Sequence, residues 1–170
     1  GAPFNYIRNS VKVVMDAYDG SVDLYVMDPE DPVLAAYRRA FPELFRPLED
    51  LPAGLRGHLR YPQDLFQAQV TRYSAYHMQD PQVFYNKEDL WTGPLEKFGG
   101  TTVPMEPYYV LMRLPGEERL EFMLMLPMTP QGRDNLIAWV AARSDFPDYG
   151  RIVTFKLPKE RLIYGPMQVE

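Results

Sequence analysis

Apolar and polar positions alternate over Val11-Lys12-Val13-Val14-Met15 and again over Val22-Asp23-Leu24-Tyr25-Val26. A period of two marks half-buried strands. Asp19-Gly20 between them supplies the positive backbone angles of a two-residue turn, so the segment predicts a β-hairpin. Pairing outward from that turn sets Ala17, Met15 and Val13 opposite Val22, Leu24 and Val26 as one apolar face, and puts Asp16 across from Asp23. Asp31-Pro32 predicts a helix over 32–41, with Asp31 as its cap and Val33, Leu34, Tyr37 and Phe41 on one stripe. A second helix is predicted over 62–78. At about 100° per residue, Leu65, Phe66, Val70, Tyr73, Tyr76 and His77 share an arc of roughly 140°, which places His77 on the buried face. Asp80-Pro81 repeats the cap-and-proline start for a short helix through Val83-Phe84-Tyr85, and Asn86 is placed to cap a further turn leading to Trp91.

Glycines and prolines over 92–107 predict a long loop. A second hairpin is predicted from 108–114 against 120–126, with Leu114 facing Leu120 and Arg113 facing Glu121, a register that an apolar face and a charge pair both favour. The segment 135–143 is apolar on nearly all sides, Trp139 included, and predicts a buried helix; 152–157 and 162–164 predict closing strands. The expected fold class is therefore α+β: antiparallel β-hairpins forming one or two sheets, with helices packed on one face.

Composition narrows the function classes. A chain of 170 residues is expected to form a single domain over 1–170, and 17 prolines predict short elements and ordered turns. With 18 Lys+Arg against 23 Asp+Glu the net charge is -5, which argues against a nucleic-acid partner. The absence of cysteine removes thiol catalysis and Cys-ligated zinc. The apolar run Leu136–Ala142 is far shorter than the ~20 residues of a membrane helix. Gly1-Ala2-Pro3-Phe4-Asn5 has no secretion-signal character, so any export information is expected to lie outside this chain.

Signatures of chemistry are sparse. None of the four serines, Ser10, Ser21, Ser74 and Ser144, sits in a Gly-x-Ser-x-Gly elbow, and Gly99-Gly100-Thr101-Thr102 lacks the lysine and spacing of a phosphate loop. The two histidines, His58 and His77, form no His-x-x-x-His pair. His77 and Asp80, three apart, are the candidate metal ligands, with Asp64 considered beside them; the competing reading is a core histidine bonded to a neighbour. Trp91, Tyr85 and Tyr76 are the candidate ligand-binding residues, because flat rings stack on sugars and on partner side chains; core packing is the competing reading. No catalytic residue and no cofactor are assigned.

Longer strings carry more information. Asn5-Tyr6-Ile7-Arg8-Asn9-Ser10-Val11-Lys12-Val13-Val14, Asp16-Ala17-Tyr18-Asp19-Gly20, His58-Leu59-Arg60-Tyr61-Pro62-Gln63-Asp64-Leu65-Phe66 and Tyr76-His77-Met78 resemble an uncharacterised bacterial membrane-protein family, the one numbered 0182 among the uncharacterised families. Tyr109-Val110-Leu111-Met112-Arg113-Leu114-Pro115-Gly116, Ile137-Ala138-Trp139 and Tyr164-Gly165-Pro166-Met167 extend the resemblance over nearly the whole chain. It implies several membrane helices followed by a large region outside the cytoplasm, of which this chain is a fragment. The expected location is the cell membrane, with this part extracytoplasmic and joined to the membrane by segments outside the chain. The implied partners are the remaining segments of its own full-length chain or envelope proteins. The expected role is a non-catalytic interaction or structural one; the alternatives are a cell-envelope carbohydrate or peptide binding module and a metal-dependent hydrolase.

Overall fold

The computed structural model describes residues 5–158 and 160–169. Residues 1–4, part of the stretch read above for an export signal, lie outside it with 159 and 170. The chain forms two compact units, Gly1–Leu59 and Arg60–Glu170.

In the first unit β1 (Val11–Met15) and β2 (Val22–Val26) form the expected hairpin, but Met15 pairs with Val22, Val13 with Leu24 and Val11 with Val26. The expected register is two residues off because the loop is wider than a two-residue turn. The Asp16 carboxylate accepts from Tyr18 N–H at 2.7 Å and the Asp19 carboxylate from Ser21 N–H at 2.8 Å, and Asp16 N–H donates to Ser21 O at 2.9 Å. Asp23 consequently lies opposite Val14, not Asp16. A two-residue shift preserves parity, so the apolar face survives. It is nevertheless open: Val13 is 60% exposed and Met15 66%.

Helix α1 (Pro32–Ala40) starts as expected at Asp31, whose Oδ1 accepts from Val33 N–H at 2.8 Å and from the Tyr6 hydroxyl at 2.6 Å, while Oδ2 accepts from Ser10 Oγ. The Ser10 and Tyr6 hydroxyls hold the Asp31 carboxyl down at about 2. Of the predicted stripe only Leu34 is buried; Val33, Tyr37 and Phe41 are exposed. β3 (Phe45–Pro47) adds to β2 in parallel, Leu24 facing Phe45, and three residues are too few to show a period in sequence. The short α2 (Ala53–Arg56) closes the unit.

The second unit opens with α3 (Gln63–Tyr76), which buries Phe66 and Val70 and leaves Tyr76, in its last turn, 69% exposed rather than on the core side. α4 (Pro81–Asn86) has the predicted Asp80 cap, with Gln82 N–H and Val83 N–H donating to Oδ1. Asn86 caps no further helix: its side-chain amide donates to Glu88 Oε1 at 2.8 Å, Lys87 turns left-handed at φ 55°, and the chain passes through a turn over 87–89 into β4 (Trp91–Thr92). The stretch expected as a loop holds a hairpin, β5 (Leu95–Phe98) and β6 (Thr101–Pro104). Gly99 and Gly100, both at positive φ, make its two-residue turn.

β7 (Tyr108–Arg113) and β8 (Leu120–Pro130) pair one residue away from the predicted register: Arg113 faces Leu120 and Met112 faces Glu121. The slip puts Met112 rather than Arg113 across from Glu121, on a face of the sheet that is itself buried. β9 (Ala138–Arg143) occupies the segment expected to be a buried helix. An unbroken apolar run has no period to separate the two, and a strand buried on both faces has that composition. β10 (Ile152–Lys156) is the edge strand. The predicted strand over 162–164 reduces to one bridge, Ile163 with Leu136.

The sheet runs β10-β9-β8, and the far edge of β8 is shared by β7 and β4. With three-, five- and two-stranded sheets and four α-helices among the described residues, the fold is α+β. α3 packs on one face of the five-stranded sheet, where Phe66, Val70, Trp91, Leu124, Leu126, Met128, Val140 and Ala142 form the main core. Each such fully buried large side chain contributes about 1.5–3 kcal/mol of transfer free energy. Met123, Met125, Ala141 and Leu114 fill the opposite face, flanked by the stacked Trp139 and Phe155 rings.

Candidate functional site

β4 holds Trp91 at the sheet edge opposite Pro130, 6% exposed. His77, the C-terminal cap of α3, lies over the indole with ring centroids 3.8 Å apart and planes at 29°, and Tyr73, one turn earlier, meets the indole edge-on at 6.1 Å. Asp89 ties the two rings together: Oδ1 accepts from the indole N–H at 3.2 Å, and Oδ2 lies 3.5 Å from His77 Nε2. The other imidazole nitrogen, Nδ1, is 3.2 Å from the Tyr73 carbonyl. Nε2 is buried and makes no hydrogen bond to Asp89 at 3.5 Å.

Beside Trp91 opens a cavity of about 240 Å³. Asp89, Arg133, Asn135, Lys156 and Arg161 supply its polar lining, and Leu136, Ile137 and Leu157 part of its apolar lining. Lys156 Nζ stands 5.7 Å from the centre of the indole ring. β10 positions Lys156, and the Leu136–Ile163 bridge brings the segment carrying Arg133 and Asn135 beside the one carrying Arg161.

On the opposite face of the sheet is a buried ion network. Met123 and Arg143 are paired across β8 and β9, which puts Glu121 and Arg143 on the same face. Arg143 donates from Nη2 to Glu121 Oε1 and from Nη1 and Nη2 to the Glu117 carboxylate at 3.0 and 2.7 Å, and Asp148 lies 3.4 Å away. Arg119 adds a second donor to Glu121. Burial pushes the Glu121 carboxyl up, but the hydrogen bonds from Arg143 and Arg119 outweigh it and leave the group below its ordinary range. Its centre, Glu121 and Arg143, is enclosed, while Glu117, Arg119 and Asp148 form a part-exposed rim, and with each carboxylate facing a guanidinium the network is structural in character.

Trp91 is thus at a cavity, while Tyr76 and Tyr85 stand outside its lining, 69% and 85% exposed; the Tyr76 ring meets Phe84 at 5.4 Å. His77 faces Asp89, and Asp80 spends its Oδ1 on the α4 cap. Asp64 is exposed in the first turn of α3. Among the described residues no three His, Asp or Glu side chains converge as a metal site. Arg133, Lys156 and Arg161 were not singled out in the sequence, where no local spacing links them; Glu121 was paired with the wrong arginine because its strand register slipped.

The model of the Uncharacterised protein family (UPF0182) matches residues 1–170, and the chain belongs to that family. It is similar to a UPF0182 protein of Salinibacter ruber, 61% identical over 167 residues that cover 97% of this chain and 18% of the relative. A UPF0182 protein of Bradyrhizobium diazoefficiens is 58% identical, and one of Pelotomaculum thermopropionicum 55%, each alignment covering 98% of this chain and 18% of the relative. The chain therefore spans less than a fifth of the length of these curated relatives. No solved structure matches it.

Proposed function

We propose that this chain is a non-catalytic, extracytoplasmic part of a larger integral membrane protein and works by packing against the remaining segments of its own polypeptide. The observation that carries this reading is the open apolar face of the β1–β2 hairpin, where Val13, Met15 and Val22 are 60%, 66% and 46% exposed. Water-facing side chains of this kind on adjacent strands mark a surface that another element covers. The relatives, more than five times as long, have ample chain to supply it. No helix among the described residues is long and apolar enough to cross a membrane, so attachment falls to those other segments.

Two measurements test the two halves of the reading. Met15→Lys is expected to leave the unfolding temperature of the isolated 170-residue chain unchanged and to lower that of the full-length protein in detergent; equal effects in both would overturn the packing role. The chain has no cysteine, and Tyr18 is fully exposed. Tyr18→Cys, in a full-length protein from which any other cysteine has been replaced, is expected to react with a membrane-impermeant maleimide on intact spheroplasts. Labelling only after lysis would place this part in the cytoplasm.

A further inference from the structure

The cavity beside Trp91 has a charge that the chain as a whole does not. The protein carries a net charge of -5, yet among the described residues this one small cavity is lined by Arg133, Lys156 and Arg161 against a single carboxylate, Asp89. That carboxylate accepts from the Trp91 indole N–H through one oxygen, and the other lies 3.5 Å from His77 Nε2. Lys156 has the indole ring as its neighbour at 5.7 Å, and among the described residues no ion pair is formed by Arg133 or Arg161. Elsewhere in the same unit arginines do find carboxylates: Arg119, Arg143 and Arg151 all reach Asp148 or the glutamates beside it. Unneutralised cations gathered around a concave, partly apolar site lower the cost of bringing in an anion, and two guanidinium groups match the oxygens of a phosphate or carboxylate in pairs.

We propose that this cavity binds an oxyanion group, phosphate or carboxylate, held by Arg133, Arg161 and Lys156, with the Asn135 amide as a neutral donor. A volume of about 240 Å³ admits that group with a body no larger than a single sugar or amino acid. Leu136, Ile137 and Leu157 give the body an apolar wall. This inference is independent of the packing role, which rests on a face of the other unit.

The test is calorimetric titration of the full-length protein in detergent, using inorganic phosphate, glucuronate and uncharged glucose as separate probes. Saturable binding of phosphate or glucuronate but not glucose is expected, and the tighter of the two anions identifies which oxyanion the site prefers. Arg133→Gln and Arg161→Gln are each expected to weaken that binding at least about fivefold, as loss of a charge-assisted hydrogen bond does, while Arg39→Gln, on exposed α1, leaves it unchanged. Both cavity arginines are exposed, so folding is expected to persist, and an unchanged circular dichroism spectrum checks it. Lys156→Gln serves as the independent third variant should one arginine variant fail that check. Absence of saturable binding by both anions, or equal binding by the cavity variants and the wild type, would overturn the proposal.

Discussion

Arg143 of β9 reaches across to Glu121 of β8, and the carboxylate it meets is wholly enclosed, with the Glu121 side chain at 0% exposure and that of Arg143 at 5%. Two charges withdrawn from water are tolerable only together. Replacing a buried pair by apolar groups can be neutral, but removing one partner strands the other.

Glu121→Gln is accordingly expected to destabilise the second unit by about 3 kcal/mol, because Arg143 and Arg119 both lose the negative charge they converge on. Chemical denaturation followed by circular dichroism measures this. A change within about 0.5 kcal/mol, the range of ordinary surface substitutions, would show the network to be dispensable.

Acid should weaken the first unit through Asp31. Its carboxyl sits at about 2, below the ordinary 3.8, so the folded form holds its proton less tightly than the unfolded form. The stabilisation is then fully present above pH 3.8 and is lost as pH falls through about 2. Asp31→Asn is expected to flatten that part of the stability-versus-pH curve while keeping a helix cap. An unaltered slope between pH 4 and 2 would mean that another group is responsible.

Gly165 is required by space rather than by backbone angle. A Cβ at this position would lie 1.9 Å from the Asp134 carbonyl oxygen, inside any permissible contact. Gly165→Ala is expected to break the neighbouring Leu136–Ile163 bridge and cost about 2–4 kcal/mol. Hydrogen exchange at the Leu136 amide, which donates to Ile163 O at 2.8 Å, reports it directly, and protection equal to wild type would contradict the steric account.

Asp80 offers a cleaner, smaller effect. Its Oδ1 takes both the Gln82 and Val83 N–H groups, so Asp80→Ala is expected to cost about 1 kcal/mol, and Asp80→Ser to recover most of it. If Asp80 serves a metal instead, Ser would not substitute for it and added divalent cation would stabilise only the wild type.

What could be read along the chain was whatever depends on neighbours. Asp31-Pro32 and Asp80-Pro81 announced their helices because a cap and a fixed proline angle act within one turn. The α3 period put His77 toward the interior because a face is a local property of a helix. Alternation likewise located β1, β2, β7 and β8 and, with them, the α+β class.

Tertiary structure decided everything that pairs distant residues. The β7–β8 register, one step from the charge-paired alternative, depends on Arg143 waiting on the next strand to meet Glu121. Residues 138–143 became a strand because both faces of the five-stranded sheet needed filling, which an unpatterned apolar run cannot announce. The basic cavity was invisible for the same reason. Arg133, Lys156 and Arg161 lie on separate segments, and electrostatic fields add in space, not along the chain.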